Sequence, residues 1–375
     1  MLTPQVMLFV GYAFLATSAW AFPVSVIPLF VDEHSSSSTS AGLVTGLMFL
    51  ITVLVELRTP HLMHSLGNKI VLPTGAALMG VAPVFFFFTN DVWAMVAVPI
   101  ARGAGLALLV VAATATAARL FPAGRRAEGL GLFGLSFTVP SVLLTPAGIW
   151  LADHFGYGLV FGVSIALGAM CIALAPLIPA DADEQDSPHG ILGIIKKRTI
   201  LVPTIVFGIS TLAAGVIITY LALAVGEGVA AIGLFLYGVT SSIARWLGGR
   251  WADAIGSGMI FWWGMLVSGL GVAMMAATSV DALVLIGLTV FGLGFGAVQN
   301  ASIAVMFARA ERRHVAHISV LWNLAFDAGL GIGAVGFGLI AAGVGYSGGF
   351  LVLAVVTLLA VIPAWRDRRL NEHRQ

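Results

Sequence analysis

The sequence predicts an all-α integral membrane protein that crosses the bilayer with twelve transmembrane helices. Hydrophobic residues make up 59% of the chain and charged residues only 9%, and the mean hydropathy is +1.03. Polar interruptions divide the chain into about twelve apolar stretches, each near the ~20 residues that cross a ~30 Å hydrocarbon core as a helix. These stretches are continuous, whereas the strands of a membrane barrel alternate apolar and polar residues. Helices are therefore expected, because they satisfy their own backbone groups in lipid.

The apolar stretches follow one another in two sets of six, separated by the longest polar segment. In order they cover roughly residues 5–31, 40–57, 71–89, 92–118, 130–151, 157–178, 199–225, 230–248, 259–279, 282–306, 318–343 and 347–364. We therefore expect a first six-helix bundle over 1–178, a linker over 179–198, a second bundle over 199–365 and a tail over 366–375. The only cysteine lies inside the sixth stretch, so no intramolecular disulfide forms.

Positive charge collects in alternate gaps between the stretches. Of the 18 Lys and Arg residues, only Arg102 falls deep inside a stretch, and Arg245 lies three residues before the end of the eighth. Lys and Arg are retained in cytoplasmic loops, so the sequence predicts a multi-pass protein of the cell membrane with both termini in the cytoplasm. The charged gaps and the tail contain Arg58, Lys69, Arg119, Arg125, Arg126, Lys196, Lys197, Arg198, Arg245, Arg250, Arg309, Arg312, Arg313, Arg366, Arg368, Arg369 and Arg374.

The two halves repeat each other. The pair Gly156-Tyr157 stands just before the sixth stretch, and Gly345-Tyr346 stands at the corresponding place in the second half, 189 residues later. Two duplicated halves with a binding site between them near the bilayer midplane are an architecture of transporters. We therefore expect two pseudo-symmetric bundles.

Several motifs carry a resemblance to a known family. The segment from Gly249 through Arg250 and Asp253 to Gly256 follows a G-x-x-x-D-x-x-G pattern, and Arg102 begins an Arg-Gly-Ala-Gly run in the fourth stretch. With the Arg-rich segment 121–131, these motifs are similar to those of the major facilitator superfamily. The stretches over 282–306 and 318–343 look most like its bacterial drug and small-molecule efflux permeases. The resemblance implies a gating loop at Gly249, Arg250, Asp253 and Gly256.

Two charges lie deep inside predicted spans. Arg102 and Asp327 each stand about ten residues into a stretch, roughly 15 Å from its end. A charge at the bilayer centre costs about 2.5–3.5 kcal/mol, so it faces a cavity or a partner. Asp327 is a candidate proton carrier and Arg102 a candidate modulator of it or an anion-binding group. The alternative is that both are structural charges satisfied by neighbouring polar groups.

Further polar and aromatic residues are candidates for a substrate cavity. Gln299, Asn300 and Asn323 lie within the tenth and eleventh stretches, where they either bind substrate or join helices by hydrogen bonds. The resemblance implies that spans one, four, seven and ten line the cavity. Four aromatic residues on these spans are therefore further candidates for its wall, and the alternative is that they anchor the spans at the membrane interface. This aromatic group consists of Tyr12, Trp20, Phe22 and Tyr220.

These observations favour a secondary active transporter that works by alternating access. The preferred function is proton-coupled efflux of a small organic molecule, and the alternative is proton-coupled uptake of a sugar or an organic acid. An intramembrane enzyme or a transporter-like sensor is disfavoured, since no catalytic motif and no large output domain occurs. Without a nucleotide-binding motif, we expect an ion gradient, H⁺, as the energy source. We expect no cofactor, no metal site, no nucleic-acid partner, and a functional monomer in the lipid bilayer.

Overall fold

The computed structural model describes residues 3–35, 39–89, 91–120, 126–178, 198–310 and 315–372. All regular elements in these ranges are helices. Most of the predicted linker, 179–197, lies outside the described residues, as do 121–125 of the Arg-rich segment. The surroundings of Gly249, the side chain of Asp253 and the side chains of some further residues in helices are likewise not described.

The chain forms two compact units, Met1–Ser187 and Pro188–Gln375. The helices of the first unit are α1 (Pro4–Ala21), α2 (Val26–His34), α3 (Ser40–Glu56), α4 (Thr59–Leu66), α5 (Asn68–Ala76), α6 (Val92–Leu120), α7 (Arg126–Phe155) and α8 (Tyr157–Leu174). A π-helical turn (Ala77–Val81) and a 3₁₀ segment (Ala82–Phe87) continue α5.

The second unit has fewer interruptions. Its helices are α9 (Arg198–Val225), α10 (Glu227–Ile255), α11 (Ser257–Met275), α12 (Asp281–Arg309), α13 (Val315–Leu359) and α14 (Val361–Glu372). Gly345, at φ 72°, breaks α13 into two helical parts.

Ten stretches of the described residues are long and apolar enough to cross a membrane, and the α3–α4 pair, bent by 56°, adds an eleventh. The stretch Ile318–Arg368 has 51 residues, more than twice the ~20 that span the core. Counting its parts on either side of Gly345 separately gives the twelve spans that the sequence predicts. The all-α membrane fold is confirmed.

Each unit packs its own helices in the same pattern. The second span packs on the fourth, as α3 on α6 and α10 on α12, and the third packs on the fourth, as α5 on α6 and α11 on α12. The first span packs on the fifth, as α1 on α7 and α9 on α13. The predicted duplication is therefore a duplication of helix packing.

Close backbone contacts within the units recur at the same offset of 189 residues. A side chain at Gly103 of α6 would collide with the Met48 carbonyl of α3, and one at Gly292 of α12 would crowd the Tyr237 carbonyl of α10. The small residues predicted at helix contacts thus let backbones approach closely. Other matches at this offset are the contact Gly75–Gly105 with Gly264–Gly294, and the positive-φ glycines Gly67 with Gly256 and Gly156 with Gly345.

The predicted tail begins as ordered helix. Helix α14 continues to Glu372, and the carboxylate of Asp367 lies 2.7 Å from the Arg309 guanidinium at the end of α12. Arg309 also donates to the Thr199 carbonyl at 2.8 Å. This pair joins the ends of three helices within the second unit.

Candidate functional site

Pro23 breaks the first span. Helix α1 ends at Ala21 and α2 begins at Val26. In a continuous helix the carbonyl of Ala19 would accept from the N–H of residue 23, which proline lacks. The hydroxyl of Ser164 on α8 donates to this carbonyl instead, at 2.8 Å. A side chain from a neighbouring helix therefore satisfies a backbone group that the break frees in the membrane interior.

Pro83 has a similar effect in the third span. Here α5 passes through the π-helical turn into the 3₁₀ segment, and the α-helical donor to the Met79 carbonyl would be residue 83. Arg102 supplies the missing donor, because its Nη1 lies 2.7 Å from the Met79 oxygen. Its Nη2 donates to the Trp20 carbonyl at 3.1 Å, at the end of α1.

Arg102 thus joins the breaks of two spans from a third helix. Its side chain is fully buried, at 0% exposure. Both acceptors are neutral carbonyls, Nε has no hydrogen-bond partner, and no carboxylate among the described side chains pairs with the guanidinium. Most buried charges lie next to an opposite charge, whereas this guanidinium has none beside it among the described side chains.

A small, partly open cavity adjoins Arg102 within the first unit. Its volume is about 10 Å³, room for roughly one water molecule. Three elements form its wall: the start of α2, the middle of α3 and the middle of α6. The lining residues are Val24, Ile27, Pro28, Val44, Thr45, Met48, Pro99 and Arg102. Apart from Thr45 and Arg102, all of these side chains are apolar.

The second unit lacks this whole arrangement. At the 189-residue offset, Leu212 stands for Pro23, Val272 for Pro83 and Phe291 for Arg102. Helices α9 and α11 run without interruption through Leu212 and Val272, and the ring of Phe291 packs at 5.5 Å from that of Tyr237. The cation therefore occurs in the unit that has the two prolines and not in its duplicate.

Asp327 lies on α13, one helical turn beyond Asn323, and both side chains are partly buried. Residues four apart share a helix face, so the carboxylate and the amide line one side of this span. Arg102 and Asp327 belong to different units. Their roles stay predictions.

Gln299 and Asn300 are partly buried on α12. The neighbouring Ser302 is fully buried; its hydroxyl donates to the Gln299 carbonyl at 3.1 Å and accepts from Trp322 Nε1 at 2.9 Å. The bond from Trp322 joins α13 to α12 directly beside Asn323. A role in substrate binding for Gln299, Asn300 and Asn323 stays a prediction.

A stack of aromatic rings that was not predicted from the sequence lies beside these polar groups. Trp322 lies over Phe207 of α9 with ring centroids 4.6 Å apart and planes 14° apart, and Phe326 continues the stack at 5.9 Å from Trp322. The available signal was the spacing of Trp322 and Phe326, which puts both rings on one face of α13.

The predicted aromatic group packs mainly inside the units in this conformation. Tyr12 is 1% exposed and donates to the Leu72 carbonyl at 3.1 Å. Tyr220 is 0% exposed and its ring lies 5.0 Å from that of Phe337. Trp20 is only partly buried, and its carbonyl accepts from Arg102.

The segment predicted as a gating loop is mostly helical, so the expected loop conformation is wrong, and its gating role stays a prediction. Gly249, Arg250 and Asp253 belong to α10, which ends at Ile255, and only Gly256 lies between α10 and α11. Gly256, at a φ of 88°, makes the turn between the two helices. The Arg250 guanidinium lies 5.2 Å from the centre of the Trp246 ring, a cation–π contact.

Comparisons with known proteins agree with the fold. The chain is 24% identical over 384 residues to the multidrug resistance protein MdtG of Escherichia fergusonii, covering 96% of this chain and 94% of that protein. It is 24% identical over 214 residues to the multidrug efflux pump LfrA of Mycolicibacterium smegmatis, which covers 54% of this chain and 42% of LfrA.

Solved structures share the architecture at low sequence identity. A mutant form of the nucleoside transporter NupG has a TM-score of 0.81 at 10% identity and covers 97% of this chain and 99% of its own. A bacterial homologue of the human lysosomal transporter Spinster has a TM-score of 0.80 at 16% identity, with 97% and 96% covered. The family model described as "Major Facilitator Superfamily" matches this chain twice, over residues 8–224 and 199–375. The chain belongs to the major facilitator superfamily and is a multi-pass membrane transporter, not an enzyme.

Proposed function

We propose that the protein exports a small organic molecule across the cell membrane in exchange for protons. The observation that carries the proposal is the similarity to MdtG, named as a multidrug resistance protein, over 96% of this chain. The partial match to LfrA, named as an efflux pump, points in the same direction. NupG and the Spinster homologue, at 10% and 16% identity, support the transporter fold and carry no argument about direction.

The substrate surface in this proposal lies on α12 and α13. Asn323 and Asp327 share one side of α13, and Gln299 and Asn300 are partly buried on α12. The partly buried rings of Trp322 and Phe326 stand beside them, and the fully buried ring of Phe207 stacks against Trp322. A carboxylate with neighbouring amides and flat apolar rings suits an aromatic cation.

The proton-coupling group in this proposal is Asp327. A carboxylate inside the membrane is costly when charged, so its protonation follows the access of water to the site. Asp327 takes up a proton on one side of the membrane and releases it on the other, which couples proton movement to the switch between the two access states. No cofactor is needed. The protein acts as a monomer with both termini in the cytoplasm, an orientation supported by the side on which Lys and Arg collect.

The test uses the purified protein in liposomes and a fluorescent aromatic cation such as ethidium. Populations of one orientation are prepared by selective proteolysis of the termini. Vesicles with the termini outside and an acidic lumen should accumulate the dye, and collapse of the pH gradient should abolish accumulation. Accumulation only in vesicles of the opposite orientation with an acidic exterior would establish the uptake alternative.

The variant Asp327→Asn should lose at least about tenfold in gradient-driven accumulation while it folds and binds dye, because the amide carries no exchangeable charge. The matched control is Asp281→Asn, since Asp281 is an exposed carboxylate at the start of α12 in the same unit. Undiminished gradient-driven transport by Asp327→Asn would refute the assignment of the coupling group and leave the export direction to the vesicle experiment.

A further inference from the structure

The small cavity beside Arg102 has the chemistry of an anion site. Its only charged lining side chain is the fully buried guanidinium, whose five N–H donors meet only two acceptors among the described residues, both of them neutral carbonyls. Nε, also buried, has no partner there. A cation in this position is costly in the membrane interior, and a small anion within a few Å would offset that cost.

The start of α2 adds a second, independent feature that points to an anion. Ser25 is the N-cap residue of this nine-residue helix, and its side chain makes no capping bond. The hydroxyl is buried at 1% exposure and has no partner among the described residues. Its neighbours Val24 and Ile27 line the cavity. The N–H groups of Val26 and Ile27 bond to the Pro23 carbonyl, so the Ser25 hydroxyl is the donor that this helix start offers to an anion.

The size of the cavity limits what can bind. About 10 Å³ holds one particle near the size of a water molecule, so an organic molecule does not fit as a whole. Because every lining side chain except Arg102 and Thr45 is apolar, a hydrated multivalent anion would lose more hydration than these few donors replace.

We propose that the Arg102 cavity binds a single small monovalent anion, namely chloride. The guanidinium supplies the charge, and the buried Ser25 hydroxyl, next to the lining residue Val24, adds a donor. The site goes beyond the proposed export function and does not depend on its direction. A carboxylate group of a transported compound offers the same chemistry, and the experiment separates these two sources.

The first measurement is the thermal unfolding of the purified protein in gluconate buffer, into which chloride or acetate is exchanged at constant ionic strength. The unfolding temperature should rise by about 2 °C at a chloride concentration tenfold the dissociation constant, and above that it should rise with the logarithm of the chloride concentration. An equal or larger rise with acetate assigns the site to carboxylate groups. If neither anion raises the unfolding temperature above gluconate, the anion site is refuted.

Two variants locate the binding. Arg102→Gln should lose the chloride-dependent shift entirely, and Ser25→Ala should weaken chloride binding several-fold. Arg366→Gln removes an exposed cation elsewhere and should keep the full shift. A shift that survives Arg102→Gln would place the effect outside the cavity and overturn the proposal.

If Arg102→Gln does not fold, equilibrium binding of radiolabelled chloride to the wild-type protein decides. One saturable site per chain, weakened by Ser25→Ala, supports the proposal. The absence of saturable binding rejects it.

Discussion

The prediction that tests the structure most directly replaces Arg102 by methionine, which keeps the length of the side chain and removes its charge. The guanidinium makes two hydrogen bonds, to the carbonyls of Met79 and Trp20, and bonds of this kind contribute about 1.5–3 kcal/mol each. Removal of a cation from the membrane interior recovers about 2.5–3.5 kcal/mol. The expected net loss of unfolding free energy is therefore near 1.5 kcal/mol.

The second half of this prediction concerns Pro83. The variant Pro83→Ala restores the N–H that an α-helix directs at the Met79 carbonyl. In that background Arg102→Met leaves only the Trp20 carbonyl without its donor, so the loss should shrink by about 1 kcal/mol, the net value of one hydrogen bond. A double-mutant cycle measures this coupling from the denaturant-induced unfolding of the four proteins in mixed micelles, followed by tryptophan fluorescence.

The duplicate unit provides the control. Val272→Pro places a proline at the position in α11 that matches Pro83, where Phe291 stands in place of the cation. With no donor for the freed carbonyl of Ser268, this variant should lose about 3 kcal/mol or more. If the losses from Arg102→Met and Pro83→Ala add within about 0.5 kcal/mol, Arg102 does not replace the proline's missing donor and the reasoning fails.

Two further predictions concern packing and charge. Gly103→Ala should destabilise the protein by about 1–3 kcal/mol, because its methyl group meets the Met48 backbone carbonyl, which cannot move aside as a side chain would; Gly134→Ala, at an open position of α7, should be neutral or stabilising. Thermal unfolding compares the two, and equal effects would contradict the packing argument. Arg309→Gln should cost about 1–2 kcal/mol, since it breaks the partly buried pair with Asp367; a hydrogen-exchange experiment should show faster exchange in α14, and unchanged exchange would show that the pair does not hold this helix.

Hydropathy and charge were sufficient to predict the twelve spans. In lipid each backbone group needs a hydrogen-bond partner within the protein, and a helix supplies these partners within a single segment. The internal duplication was also visible, since Gly156-Tyr157 and Gly345-Tyr346 mark its offset, and the structure places the positive-φ glycines and the close glycine contacts at that same offset. Glycines at a left-handed φ and at backbone contacts are requirements of geometry. They therefore survive in both copies where other side chains diverge.

The local course of the chain was harder to predict. The motif from Gly249 to Gly256 was expected to form a loop from its resemblance to a family pattern, but nothing before Gly256 interrupts the helix. The partners of Arg102 were also out of reach. A proline tells which carbonyl loses its donor, but only the packing of α6 against the first and third spans shows which side chain replaces it.

The difference between the two units separates what the fold requires from what it does not. Both units build the same helix pairs, yet only the first interrupts its first and third spans with Pro23 and Pro83 and places a buried cation between them. Each internal proline costs about 3 kcal/mol in a helix, and the second unit shows that continuous helices pack equally well there. Arg102 is therefore not explained by folding alone. The break at Pro23 forms the cavity wall at the start of α2. A bound anion therefore gives this break and the Nε of Arg102, which has no partner among the described residues, a common explanation.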